Sequence, residues 1–168
     1  MFGPAGPGAL LRDVFRLEAE RVLALARLGR DPGAEAALDD VDARLGAALD
    51  GLERHGVAYP AHDVARRHGF GQHDYALLQL ALLRWHGPGA VREVTRLLGD
   101  ADREVRVSHA IALLLPGRDD WQAAYAELAD LPIVREGLVT FTASGPDDAA
   151  LGLGTAMREL LGLGLPPG

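Results

Sequence analysis

The chain of 168 residues is long enough for a single domain with a sizeable core, and its apolar (48%) and charged (24%) fractions are ordinary for a globular protein. All 17 basic residues are arginine, and 24 acidic residues give a net charge of −7, which opposes non-specific attraction to nucleic acid or anionic lipid. The absence of cysteine excludes disulfides, thiolate nucleophiles and cysteine-type zinc sites.

The first residues carry no basic segment followed by an apolar stretch of signal-peptide length, and no apolar run of membrane-spanning length follows. We therefore expect a cytoplasmic protein without membrane contact. Residues 1–8 are rich in glycine and proline, which predicts a frayed start.

Helical periodicity dominates the rest of the chain. Spacings of three and four between apolar residues, with glycine and proline at the breaks, predict helices over 9–28, 34–55, 61–68, 74–85, 88–98, 103 or 107–115, 121–129 and 155–161. Asp31 is the predicted N-cap of the second helix, and Asp119 or Asp120 that of the helix beginning at Trp121.

The first two helices favour an antiparallel hairpin. Residues of the second helix align in one narrow apolar stripe, formed by Leu38, Val41, Leu45, Leu49 and Leu52. This pattern predicts an N-terminal helical hairpin over residues 1–56, followed by a second domain over 57–168, with the very apolar helix 74–85 at the centre of the core.

The stretch LPIVREGLVTFTAS, residues 131–144, is the easiest place to write a β-hairpin. Ile133 and Val134 would form one strand, residues 135–137 the polar break, and residues 138–142, dense in β-branched side chains, the second strand. Helices followed by one late hairpin are typical of a winged-helix unit. The predicted fold class is mainly α: an N-terminal helical hairpin plus a winged-helix domain with one small β-hairpin.

A winged helix raises DNA binding as a function, but the charges oppose it. The helix before a wing usually contacts base edges and phosphates through basic or amide side chains. Here it reads DDWQAAYAELAD, and residues 119–168 hold two arginines against eight acids. We therefore expect this region to face protein, through a surface comprising Asp119, Asp120, Gln122, Glu127, Arg135 and Glu136.

DNA binding by a winged-helix regulator remains the alternative. Residues 57–118 hold eight arginines against six acids and are the only basic region. If DNA is bound, we expect the phosphate contacts to come from Arg66, Arg67, Arg92, Arg96, Arg103 and Arg106.

No pattern in the sequence points to catalysis, a metal or a cofactor. His62, His68 and His73 are spaced by six and five residues across a glycine break, which does not place a ligand pair on one helix face. Gly152 and Gly154 imitate part of a dinucleotide loop without a βαβ unit around them. With no lysine, a GxxxxGK[ST] phosphate loop is impossible, so we expect neither ATP hydrolysis nor any other enzymatic activity.

Four segments taken in order resemble one family. VARRHGFGQHDYALLQLAL, VSHAIALLL, LPIVREGLVTF and LGLGTAMRELLG together look like the winged-helix domain at the N-terminus of a group of bacterial AAA ATPases. The 168 residues include no ATPase module, so the resemblance implies either a fragment or a stand-alone relative. It also implies an adaptor role beside an AAA motor, in some relatives within contractile injection systems, with the AAA module or its substrate as the protein partner.

Overall fold

The protein is mainly helical in the computed structural model, which describes residues 6–28, 30–142 and 149–163. Two short strands, β1 (Val139–Thr142) and β2 (Ala150–Leu153), pair antiparallel. The helices, in chain order, are α1 (Pro7–Arg27), α2 (Ala34–Arg54), α3 (Pro60–His68), α4 (Gln72–His86), α5 (Pro88–Leu98), α6 (Val107–Leu114), α7 (Trp121–Ala129), α8 (Pro132–Arg135) and α9 (Thr155–Leu160). The predicted class, mainly α with one small β-hairpin, is confirmed.

Helices α1 and α2 form the predicted antiparallel hairpin. Leu10, near the start of α1, lies against Gly51, near the end of α2. Further along α1, Arg21 Nε donates to Asp42 Oδ1 at 2.7 Å, nearer the start of α2. The two helices therefore run in opposite directions. The predicted N-cap at Asp31 is wrong. Its carboxylate accepts a hydrogen bond from the backbone N–H of Gly33 and so closes a turn that precedes the helix, which begins at Ala34.

Helix α4 lies at the centre of the core, as predicted. Its leucines are at most 1% exposed, and it packs against α1, α5, α6, α8 and both strands. One continuous cluster of buried side chains includes residues of α1, α2 and α4. The predicted division of the chain after residue 56 remains a prediction about folding units, since this cluster runs across it.

The β-hairpin is composed differently from the predicted one. Residues 133–134 are not a strand, because Pro132, with its preset φ, begins the single helical turn α8. The backbone N–H of Ile133 donates to the buried carboxylate of Asp74 at 3.1 Å instead of joining a sheet. Strand β1 falls where the second strand was predicted, but its partner is β2, with Val139 opposite Leu153.

The hairpin is joined to the helical part at its far edge and at its base. On the far edge of β2, Leu151 N–H donates to the Val105 carbonyl at 2.8 Å, so the segment before α6 extends the pairing. At the base, a Cβ on Gly154 would lie 2.0 Å from the Gly137 carbonyl oxygen. The glycine that imitated a dinucleotide loop is thus required by a close backbone approach. The sequence also predicts a turn at residues 145–147 and a tail over residues 162–168, and of these positions 145–147 and 164–168 lie outside the described residues.

Candidate functional site

A strip of three aromatic side chains crosses the surface from α7 to β1. The ring centroids of Trp121 and Tyr125 lie 6.4 Å apart, and those of Tyr125 and Phe141 lie 5.5 Å apart in a T-shaped arrangement. Tyr125 and Phe141 are half-buried and pack against the core, whereas Trp121 is 39% exposed. This aromatic strip is held in place at one end and open to solvent at the other, and it consists of residue types enriched at protein interfaces.

The predicted acidic residues in and just before α7 are not equally available to a partner. Asp120 caps the helix by accepting from the backbone N–H three residues on at 3.1 Å, and Glu127 forms an ion pair with Arg118 at 2.7 Å. Asp119 and Gln122 are exposed, and within the described ranges neither side chain forms a hydrogen bond or ion pair. These two are therefore the polar groups most open to a partner.

The other two residues of the predicted surface follow α7 in the chain. Arg135 is exposed and lies 4.0 Å from the carboxylate of Asp130, at the end of α7. Glu136 Oε2 lies 2.7 Å from His68 Nδ1. Arg135 thus extends the α7 surface, while Glu136 is engaged with α3.

The six arginines of the DNA-binding alternative fall on three segments, and two of them are paired with acids. Arg67 contacts Asp63 at 2.7 Å, and Arg106 contacts Asp102 at 2.9 Å and Glu104 at 3.4 Å. Pairing with a carboxylate reduces the attraction of these arginines for phosphate. The four that are exposed and form no ion pair with any described residue are Arg66, Arg92, Arg96 and Arg103.

Sequence reasoning missed a buried carboxyl in α1. Glu18 is 0% exposed and accepts hydrogen bonds from the hydroxyls of Tyr59 at 2.5 Å and Tyr75 at 2.9 Å. Beside it, Arg21 Nη1 donates to the buried amide oxygen of Gln79 at 2.9 Å. The network joins α1 to the start of α3 and to α4. A signal was present in the sequence, since Glu18 lies midway between Val14 and Val22 at spacings of four, on the apolar face of the helix.

Burial sets the ionisation of this network. Loss of water contact raises the pKa of Glu18 from 4.5 to about 7, against the hydrogen bonds of Tyr59 and Tyr75, the nearby Gln79 amide and the charge of Arg21, which lower it. Burial also raises the pKa values of Tyr59 and Tyr75, so both phenols remain hydrogen-bond donors. Because no part of Glu18 reaches the surface, this carboxyl is placed to hold a proton inside the fold and not to meet a substrate.

A groove of about 670 Å³ opens beside the network, between α2 and α3. Most of its wall is apolar and comes from Leu45, Leu49, Ala65 and Phe70. The groove is also lined by Arg21, Asp42, Gly46, His62, Arg66 and Tyr75. The groove has the size and mixed character of small-molecule sites in proteins, and we refer to it as the α2–α3 groove.

No protein-family model, curated protein or solved structure matches the chain. The resemblance to AAA-associated winged-helix domains therefore depends on the four quoted segments. Within the described residues, no helix is long and apolar enough to cross a membrane, and no three histidine, aspartate or glutamate side chains are grouped as metal ligands would be.

Proposed function

We propose that the chain is a non-catalytic protein-interaction module that docks through the aromatic strip and the acidic surface of α7. The observation that carries this proposal is the exposure of Trp121 at the end of an aromatic strip whose other members are packed on the core. Tryptophan and tyrosine dominate the binding energy of many interfaces, because a large rigid ring buries much area with little loss of entropy. A ring presented from a fixed base needs little rearrangement to enter a pocket.

The charges around the strip define the partner's chemistry. Asp119 and Gln122 beside Trp121 form no hydrogen bond or ion pair with any described residue, and residues 119–168 carry a net charge of −6. A complementary partner has an apolar pocket for the indole, rimmed by arginine or lysine. Under the family resemblance that partner is an AAA ATPase module or its substrate, and the β1–β2 hairpin is the wing of a winged-helix adaptor.

Isothermal titration with a purified AAA module of the resembled group tests the proposal. Trp121→Ala should weaken binding by at least about tenfold, since an interface tryptophan is worth about 2 kcal/mol or more. Leu160→Ala is the matched control, because Leu160 is 49% exposed and lies outside the strip. Unchanged affinity in Trp121→Ala, with binding by the unmodified chain, would refute docking through the strip.

The DNA-binding alternative is supported by the four exposed arginines that form no ion pair within the described part of the chain, and it makes a distinct prediction. A chain that binds phosphates loses affinity steeply as salt rises, because counterions are released on binding. Titration of a fluorescent duplex at low and high salt measures this slope. Measurable binding with that slope, weakened by replacing Arg92 and Arg96 together, would favour a regulator over the adaptor.

A further inference from the structure

The α2–α3 groove combines an apolar wall with a net positive charge, although the whole chain carries −7. Arg21, on its floor, is neutralised by Asp42 at 2.7 Å and is only 19% exposed. Arg66 also lines the groove, and it is exposed and forms no ion pair with any described residue. The charge left over at the rim is therefore one guanidinium, which favours a carboxylate or a comparable anion.

The floor of the groove does not repel such an anion. Tyr75 lies between the groove and Glu18, and its hydroxyl is directed at that carboxyl. Burial raises the pKa of Glu18 to about 7, so near neutral pH much of this buried carboxyl is uncharged. The groove thus offers an anion one unpaired cation without a strong opposing charge beneath it.

The shape of the groove depends on Gly46, which lies in the interior of α2. A Cβ built there meets no atom within 4 Å, so the missing side chain leaves open space beside the apolar wall. A glycine in a helix interior destabilises the helix by about 1 kcal/mol relative to alanine. At position 46 neither the backbone conformation nor a close neighbour requires a glycine. Keeping the groove open is the structural consequence of this residue.

We propose that the α2–α3 groove binds a small carboxylic acid with an apolar body. The carboxylate pairs with the guanidinium of Arg66 at the rim, and the hydrocarbon or aromatic part lies along the apolar wall beside Gly46. A volume of about 670 Å³ holds a compact molecule of this kind. The groove shares no residue with the aromatic strip, so this inference stands independently of the proposed docking function.

Octanoate and its neutral analogue octanamide are the probes for the test. A ligand of about ten heavy atoms supports a Kd on the order of 1 mM, which isothermal titration and ligand-observed NMR both detect. We expect saturable binding of octanoate to one site, with octanamide binding about fivefold or more weakly because it lacks the charge. Equal affinities of the two probes, or no saturable octanoate binding up to about 20 mM, would overturn the proposal.

Three variants locate the site. Gly46→Leu fills the groove and should abolish binding of both probes, and Arg66→Gln should weaken octanoate by about fivefold while leaving octanamide unchanged. Arg92→Gln removes another exposed, unpaired arginine outside the groove and should change neither. Octanoate binding that survives in Gly46→Leu would place the ligand elsewhere and refute the assignment.

Three further experiments complete the test. If Gly46→Leu does not fold by circular dichroism, Gly46→Met offers a more flexible side chain for the same space. Amide chemical-shift mapping of the unmodified chain should show octanoate-induced changes centred on α2 and on the turn between α3 and α4. Trp121→Ala should bind octanoate normally, so failure of the groove proposal and failure of the docking proposal are distinguished.

Discussion

Replacing Glu18 by glutamine should stabilise the folded protein at neutral and alkaline pH. The carboxyl is completely buried, and its pKa rises from 4.5 to about 7 on folding because water is lost around it. Glutamine has nearly the same shape and can keep hydrogen bonds with both tyrosine hydroxyls, but it never becomes charged. The substitution therefore removes the cost of burying a carboxylate while keeping the packing.

The magnitude follows from the difference between the two pKa values. That difference corresponds to about 3 kcal/mol of free energy of unfolding. Since the folded state has the higher pKa, folding takes up a proton between the two values, and Glu18 makes the wild-type protein less stable as the pH rises from 4.5 to about 7. Above that range the cost is constant, and below pH 4.5 it disappears.

Urea unfolding of the wild type and Glu18→Gln across this pH range measures the effect. The stability difference should be near zero at the acidic end, rise through the interval, and level off near about 3 kcal/mol in favour of glutamine. Glu53→Gln is the control, because Glu53 is exposed, and it should alter stability by no more than about 0.5 kcal/mol. A difference that does not change with pH, or a glutamine variant less stable at pH 8, would refute the reasoning.

Four further substitutions test the packing. Gly46→Ala should stabilise α2 by about 1 kcal/mol. Gly51→Ala should gain less stability or lose some, because its new Cβ would lie 3.1 Å from Leu10. Thermal unfolding compares the two variants, and equal gains in stability would contradict the predicted crowding at Gly51. Gly154→Ala should destabilise the folded protein by about 2 kcal/mol or more, because the added carbon would lie 2.0 Å from a backbone atom. A melting temperature equal to that of the wild type would contradict this close approach at the base of the hairpin. Asp74→Asn should cost about 1–3 kcal/mol, because its two oxygens accept from two backbone N–H groups and an amide replaces one of them with a donor; an unchanged urea midpoint would argue against this buried link.

The helices could be predicted from the sequence because their signals are local. Helix α5 has the predicted bounds Pro88–Leu98, since a proline at the first turn and a glycine after the last residue define both ends within one short segment. The apolar stripe of α2 likewise determined which of its faces is buried against α1. Local patterns of this kind do not depend on which element packs nearby.

Only part of the candidate site could be predicted from local sequence patterns. The acidic character of α7 is visible in its composition, but the engagement of Glu127 with Arg118 and of Glu136 with His68 depends on which chain segments meet. The α2–α3 groove joins residues far apart in sequence, so no local pattern could indicate it. Glu18 interrupts the apolar face of α1, which marks it as unusual in the sequence. The sequence does not indicate that the hydroxyls of Tyr59 and Tyr75 donate to it.

The sequence by itself determined that this protein is mainly helical, that its most apolar helix lies at the core, and that an acidic helix with two aromatic residues precedes a β-strand. Only the tertiary structure decided the partner of that strand. The segment Ala150–Leu153 contains no β-branched residue, and it becomes a strand because β1 offers one edge and Val105 the other. Backbone hydrogen bonding between distant segments, not side-chain preference, selected the pairing.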